Sequence, residues 1–198
     1  MPEGKPVFVL DASVIINFLG SGRPQEILES LDAQILIAEP VFREVSHDPS
    51  KRVSPQAWLR EIEAKGLVQV IKLYGDALLA YFDLVSAPPP ENLDDGEAAT
   101  IAVAMESGAM PVLDEKRARR IFRSRYPGLP LASTAELFRR ANDSGRISRN
   151  DSRMALFDAL RIARMQVAPD MAEWVVNVIG VENAKQCPSL PRKFRGTS

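Results

Sequence analysis

Short apolar runs that recur between helical stretches constrain the fold of this chain most. Four such runs, each about as long as a buried strand, are Val7–Leu10, Ile35–Ala38, Val68–Ile71 and Met110–Leu113. The segments between them have the apolar spacing of amphipathic helices. This alternation is typical of a parallel sheet covered by helices, and the further run Leu129–Ala132 raises the expected sheet from four strands to five.

Four acidic residues stand where such a fold would gather their side chains. Asp11 and Asp114 each follow a strand run directly, at the sheet edge where open α/β folds bind ligands. Glu44 lies on the helix face of Val41 and Val45, and Glu97 lies on a helix rich in alanine, which allows close approach. Gathered carboxylates repel one another unless a cation neutralises them, and Mg²⁺ or Mn²⁺ prefers such oxygen ligands.

Each acid also has an ordinary structural explanation. Asp11 and Asp114 could be N-caps of the helices that follow them. Asp94 with Glu97 resembles a capping box, and Glu44 could lie at the border of an apolar face. A shared metal site accounts for all four positions together, and we therefore favour it.

The segments that carry these acids resemble the PIN-domain family, in order and in spacing. The resemblance covers roughly the first three quarters of the chain and is greatest to bacterial VapC-like toxins. The matching segments are Leu10–Ser13 through Asn17, Glu39–Val45, Leu93–Ala104 and Val112–Arg120.

The resemblance implies a three-layer α/β/α sandwich with a central parallel sheet and extra C-terminal helices. It also implies a magnesium- or manganese-dependent endoribonuclease, the toxin of a type II toxin-antitoxin pair, with RNA as substrate and a cognate antitoxin protein as partner. By position, Asp11, Glu44, Glu97 and Asp114 would be the metal-binding and catalytic acids. Asp95 or Glu115 could supplement them, and Ser13 either orients Asp11 or is a helix-start hydroxyl.

Two other functions remain open from the sequence. One is a PIN-like module that binds RNA or protein without cleaving it, because a fold does not fix a function. The other is a phosphatase with Asp11 as its nucleophile. The phosphatase interpretation is weaker, because Ser13 stands where an Asp-x-Asp motif would place its second Asp.

Charge is divided unevenly along the chain, although the total is only -1. Residues 1–114 have 8 Lys+Arg against 18 Asp+Glu, a charge of -10, and residues 115–165 have 13 against 5, a charge of +8. Arg117 and Arg120, at the start of the basic stretch, are the predicted RNA-binding residues, since arginine offers paired donors to phosphate. The alternative is a solvated helix face whose arginines pair with surface acids.

The remaining sequence indicates one domain over residues 1–181 and a flexible tail over residues 182–198. Two helices are expected near 154–165 and 169–179, and they would pack on the domain or form a homodimer or antitoxin surface. The single Cys187 and single His47 exclude a disulfide within the chain and a zinc cluster. We also expect no membrane span and a cytoplasmic location.

Overall fold

The computed structural model describes residues 4–195 and contains one four-stranded sheet. Its strands are all parallel and lie in the order β3-β2-β1-β4. They are β1 (Val7–Leu10), β2 (Gln34–Ala38), β3 (Gln69–Ile71) and β4 (Met110–Val112). Each corresponds to one of the four runs that the sequence predicted, with bounds shifted by at most one residue.

Helices flank this sheet. Within residues 4–195 they are α1 (Ala12–Gly20), α2 (Pro24–Ser30), α3 (Glu39–Glu44), α4 (Pro55–Ala64), α5 (Gly75–Val85), α6 (Asp95–Ser107), α7 (Lys116–Arg125), α8 (Thr134–Asp143), α9 (Arg149–Arg161), α10 (Ala172–Ile179) and α11 (Val181–Ala184). A short 3₁₀ turn, Arg192–Phe194, follows them.

The helices pack in two groups that give the fold its layers. Helix α6 packs against β1, β2 and β4, and both α3 and α5 pack against α6. Helices α1, α8 and α10 pack against α9, and α2 packs against α8. The buried faces of sheet and helices form one main apolar core. The predicted three-layer α/β/α sandwich with a parallel sheet and extra C-terminal helices is therefore confirmed.

The central position of β1 brings two of the acids together. Leu10 of β1 pairs with Val112 of β4, so the residues that follow these strands leave the same edge of the sheet side by side. The backbone N–H of Asp11 lies 3.4 Å from the carbonyl oxygen of Val112, which extends the pairing by one residue.

The fifth run does not form a strand. Of Leu129–Ala132 only Ala132 pairs with the sheet, through a single bridge to Val112. Pro130 has no N–H to donate, which limits pairing in this segment. Ala132 still receives an N–H bond from Leu113 and donates to Pro111, so the chain enters α8 from the edge of β4.

The C-terminal helices pack onto the domain. Helix α9 begins at Arg149, earlier than predicted, because Ser148 caps it through the N–H of Asp151. Val175 and Ile179 of α10 are buried in the main core, so these two residues pack on the domain and are not part of an exposed surface.

The chain remains packed beyond residue 181. Ala184, Cys187 and Leu190 are buried in the main core, so ordered packing extends further than the expected domain boundary. Flexibility of residues 182–195 stays a prediction, and residues 196–198 of the expected tail lie outside the described residues.

Between residues 4 and 195, we find no helix with the length and apolar character needed to cross a membrane.

Candidate metal centre

The four predicted acids line one cleft at the carboxyl edge of the sheet. The cleft has a volume of about 360 Å³, and Asp11, Glu44, Glu97 and Asp114 all contribute to its wall. Asp94 and Glu115 line it as well, and the segment after α9 closes one side. Residues that are far apart in sequence thus meet in a single acidic cavity, which we call the acidic cleft.

Asp11 has two structural roles in this cleft. It is the N-cap of α1, and its Oδ2 accepts hydrogen bonds from the backbone N–H of Ser13 at 3.2 Å and from the Ser13 hydroxyl at 2.6 Å. Burial raises the pKa of Asp11, although these hydrogen bonds oppose the change. The capping alternative is therefore correct for Asp11. The cap uses Oδ2, and Oδ1 lies on the side of Gly96, so capping does not exclude a metal ligand at this residue.

Asp114 is held by another helix and does not cap α7. The backbone N–H of Thr134 donates to its Oδ1 at 2.8 Å, and the Thr134 hydroxyl donates to its Oδ2 at 2.6 Å. Asn17 of α1 donates its side-chain amide to the same Oδ2 at 2.9 Å. Burial raises the pKa of Asp114 to about 6, with nearby Asp11 adding to the effect and the Thr134 bonds opposing it. Three donors thus orient this carboxylate.

Glu44 reaches the cleft because Gly96 leaves room for it. A Cβ on residue 96 would lie 2.4 Å from Glu44 Oε2 and 3.4 Å from Asp11 Oδ1, so any side chain there would displace the Glu44 carboxylate. Glu44 as a whole is exposed, consistent with the alternative of an acid at the border of an apolar face, yet partial burial of its carboxylate and then repulsion from Asp11 raise its pKa. The small residue at the start of α6 therefore leaves room for Asp11, which follows β1, and for Glu44 of α3 on one side of the cleft.

Glu97 belongs to a second acidic group beside the first. It is the third residue of α6, and its Oε2 lies 3.4 Å from the backbone N–H of Asp94, so the predicted capping box is present. Burial raises the pKa of Glu97 to about 8, and the adjoining Glu115 carboxyl adds to the increase. Oxygen atoms of Asp94, Glu97 and Glu115 all lie within 4.8 Å of one another.

A cation of the protein already lies against this second group. Nη2 of Arg117 is 3.2 Å from Asp94 Oδ1 and 3.7 Å from Glu97 Oε2, and its Nε is 3.7 Å from Glu115 Oε1. Arg117 therefore neutralises acids at the cleft in this structure. Its predicted contact with RNA is not tested by this arrangement.

Arg120 and Asp95 also have partners within the protein. Arg120 pairs with Glu91 at 2.8 Å, and its predicted role in RNA binding stays a prediction. Asp95 accepts a hydrogen bond from the Tyr81 hydroxyl at 3.0 Å and does not line the acidic cleft, whereas Glu115 does. Asp95 instead lines a neighbouring cavity with Glu44, and its charge helps to raise the pKa of Glu44, so both acids stay possible supplementary ligands.

The donor set fits a hard divalent cation. Among residues 4–195 no side chain donates a hydrogen bond to Asp11 Oδ1 or to Glu44, so these oxygens have capacity for a ligand. Burial and mutual repulsion raise the pKa of every one of the four acids, which means that the charged cluster is costly without a counter-ion. Carboxylate oxygens without sulfur or imidazole nitrogen suit Mg²⁺ or Mn²⁺.

Sequence reasoning did not find several residues that shape the cleft. Gly96 leaves room for Glu44, which lies 52 positions earlier in the chain. Thr134 donates a hydrogen bond to Asp114, which lies 20 positions earlier. Arg164 and Gln166 line the cleft from the segment after α9. Ser133 is the N-cap of α8, a local feature that places Thr134 at the start of the helix but does not indicate its contact with Asp114.

Comparison with known proteins agrees with this geometry. The family model DUF3368, described as a PIN domain, matches residues 7–180, a span that includes all four acids and the C-terminal helix α10. Neither a curated protein nor a solved structure matches the chain.

Proposed function

The chain belongs to the PIN-domain family, and from that membership together with the acidic cleft we propose that it is a magnesium- or manganese-dependent endoribonuclease. The observation that carries the proposal is the meeting of Asp11, Glu44, Glu97 and Asp114 in one cavity. Four carboxylates with raised pKa values are an expensive arrangement for stability alone, and a bound cation explains it.

The proposed reaction is hydrolysis of an RNA phosphodiester. The oxygen of one water molecule bonds to phosphorus, one P–O bond of the backbone breaks, and a proton from the water ends on the leaving oxygen. A divalent cation held by Asp11, Glu44, Glu97 and Asp114 would supply the positive charge that acidifies water and stabilises the charge on the phosphate.

The surrounding side chains prepare the carboxylates for this task. Ser13 holds Oδ2 of Asp11, while Thr134 and Asn17 hold Asp114 from two different helices. Such hydrogen bonds fix ligand orientation before a cation or substrate arrives. Glu97 and Glu115 lie close enough to share a proton, which gives the cleft a group that can accept or release one near neutral pH.

We further propose that the protein acts as a VapC-like toxin in the cytoplasm. It would bind a cognate antitoxin and form a homodimer. The toxin role and the antitoxin derive from the sequence resemblance alone, and the homodimer derives from the apolar faces of the C-terminal helices. Co-purification of the chain with the product of an adjacent small gene would support the toxin role. A growth assay in which the gene is harmless when expressed alone would count against it.

The nuclease proposal is tested by incubating purified protein with a mixed pool of structured RNAs. The reactions contain Mg²⁺, Mn²⁺ or a chelator, and the ends of the products are mapped. We expect cuts that depend on the metal and recur at defined positions. If the folded, metal-binding protein left all RNAs intact, the alternative of a catalytically silent module that binds RNA or protein would be favoured.

A further inference from the structure

A second cavity adjoins the acidic cleft. It has a volume of about 420 Å³, and Asp114 and Gln166 line both cavities, so the two form one continuous surface. We call this second cavity the basic pocket, because one of its walls consists of cations from α7. Its volume is within the range of roughly 300–1,000 Å³ that is usual for small-ligand sites.

Two cations of the basic pocket differ from the other two on its wall. Within residues 4–195, Lys116 and Arg123 form no salt bridge, and both side chains are exposed to the cavity and the solvent. The other two arginines of the wall are engaged elsewhere. Arg119 donates to the carbonyl oxygens of Leu113 and Ala132, and Arg120 pairs with Glu91.

Arginines of this wall repel one another, although nearby acids, Glu136, Asp114 and Asp170, offset part of the repulsion. Burial lowers the pKa of Arg119, and the charge of Arg123 lowers it further, which shows that the two guanidinium groups repel. The acids of the pocket are Asp114, which is directed to Asn17 and Thr134, and Asp170 on the far wall. Lys116 and Arg123 are therefore the groups available to an incoming phosphate.

The opposite wall is formed by residues 166–170, which are apolar at the centre and polar at the two ends, Gln166 and Asp170. Val167, Ala168 and Pro169 line it, between the buried anchors Met165 and Met171. The backbone N–H of Met165 donates to the carbonyl of Ala159, which ties the segment to α9. A wall with an apolar centre, facing two cations that form no salt bridge in the described residues, matches a nucleotide, which has a flat base and a charged phosphate.

We propose that the basic pocket holds the nucleotide next to the cleaved bond of a single-stranded RNA, with its phosphate on Lys116 and Arg123 and its base against Val167 and Pro169. This inference rests on the proposed nuclease function, since the neighbouring acidic cleft is where the scissile phosphate would lie. A single strand fits because its unstacked bases can turn into a pocket, which a paired base cannot do.

The test is equilibrium binding of a fluorescent single-stranded RNA to the full chain, in chelator so that no cleavage occurs. Lys116→Gln/Arg123→Gln is compared with Arg60→Gln/Arg149→Gln, which removes two exposed arginines that form no salt bridge in the described residues. We expect the first variant to bind the RNA about tenfold more weakly. The slope of log binding constant against log salt concentration should be smaller in magnitude by about 0.7 for each phosphate that the variant no longer neutralises. The control variant should match the wild type.

A second series identifies the occupant of the pocket. RNAs that contain one abasic site or one neutral methylphosphonate linkage at a time are measured with the wild type and with the Lys116→Gln/Arg123→Gln variant. We expect one flanking position at which the wild type loses affinity and the variant does not. Free nucleoside monophosphate that binds the wild type as tightly as the strand does would contradict an RNA subsite and indicate a small-ligand pocket.

Failure of this inference can be told apart from failure of the nuclease proposal. If the wild type cleaves RNA and the Lys116→Gln/Arg123→Gln variant binds and cleaves like the control, the basic pocket is not a subsite. If the wild type never cleaves but the variant still loses position-specific affinity, the subsite stands and the nuclease proposal fails.

Discussion

Thr134 donates both its backbone N–H and its hydroxyl to Asp114, at 2.8 and 2.6 Å. The first residue of α8 thereby fixes a carboxylate that follows β4, and the two lie 20 positions apart in the chain. Thr134 thus orients a predicted metal ligand although it would not itself contact the metal. The same contact ties the start of α8 to the end of β4.

Thr134→Val removes the hydroxyl and keeps the shape of the side chain. We expect the affinity for Mn²⁺ to fall by about tenfold or more, because loss of an orienting partner typically weakens metal binding to this extent. Calorimetric titration with Mn²⁺ measures the change. Thr100→Val is the matched control, since the buried Thr100 hydroxyl has no hydrogen-bond partner among the described residues. Equal Mn²⁺ affinity in the two variants would contradict a positioning role for Thr134.

Glu97→Gln changes how stability depends on pH in metal-free protein. Burial and Glu115 raise the Glu97 pKa from 4.5 to about 8, so in this window the folded state binds more protons than the unfolded state. The free energy of unfolding of the wild type should therefore fall as pH rises between 4.5 and about 8. Glu97→Gln should remove part of this decline, as measured by urea unfolding at a series of pH values.

Glu136→Gln is the control for this experiment, because Glu136 is the corresponding capping-box residue of α8. It should retain the pH dependence of the wild type. A Glu97→Gln variant with an unaltered pH profile would show that the carboxyl is not buried in its proposed environment.

Arg119→Met tests the structural role of the one buried arginine on α7. Its Nη1 donates to the carbonyl oxygens of Leu113 at 2.8 Å and Ala132 at 2.9 Å, and the side chain is only 8% exposed. Loss of these bonds should lower the free energy of unfolding by about 2 kcal/mol. Arg123→Gln on the same helix should change it by no more than about 0.5 kcal/mol, as is usual for surface positions. Equal effects in chemical denaturation would refute the distinction.

Gly20→Ala tests the close approach of α1 to the segment after α9. A Cβ on residue 20 would lie 2.5 Å from the Ala163 Cβ, so one of the two backbones must move. We expect a loss of about 1–3 kcal/mol in the free energy of unfolding, typical of an overpacked core. The Gly20→Ala/Ala163→Gly double variant should recover most of it. A double variant as unstable as the sum of the single variants would show that the contact is not the cause.

The sequence was sufficient to predict the four strands and the meeting of the four acids in one cavity, because both depend on local patterns, whereas the role of these acids stays a prediction. The apolar runs at Val7–Leu10 and Met110–Leu113 end in acids, and parallel strands place such ends at one edge. Helix limits were less well predicted, since α9 begins at Arg149, after the N-cap Ser148, and not near Met154. The run Leu129–Ala132 had the composition of a strand, but it pairs with the sheet only through the bridge between Ala132 and Val112, since Pro130 has no N–H to donate.

The parts of the site that depend on long-range contact could not be inferred from local patterns. The role of Gly96 depends on the position of Glu44, and the pairing of Arg117 with Asp94 and Glu115 requires α6 and α7 to meet. Similarly, the basic stretch did not indicate which arginines are engaged within the protein. Arg119 donates to backbone carbonyls, whereas Arg123 forms no salt bridge in the described residues. These differences come from tertiary packing, which charge and periodicity do not encode.

The central claim, that the acidic cleft hydrolyses RNA with a divalent cation, is tested most directly by Asp11→Asn. Asparagine is as good an N-cap as aspartate, so α1 keeps its start while the cleft loses a charged ligand. Asp158→Asn is the control, because Asp158 of α9 pairs with Arg161 and does not line the cleft. In Mn²⁺-dependent cleavage we predict that Asp11→Asn is folded and inactive, whereas Asp158→Asn retains activity. Full activity of Asp11→Asn would contradict the account.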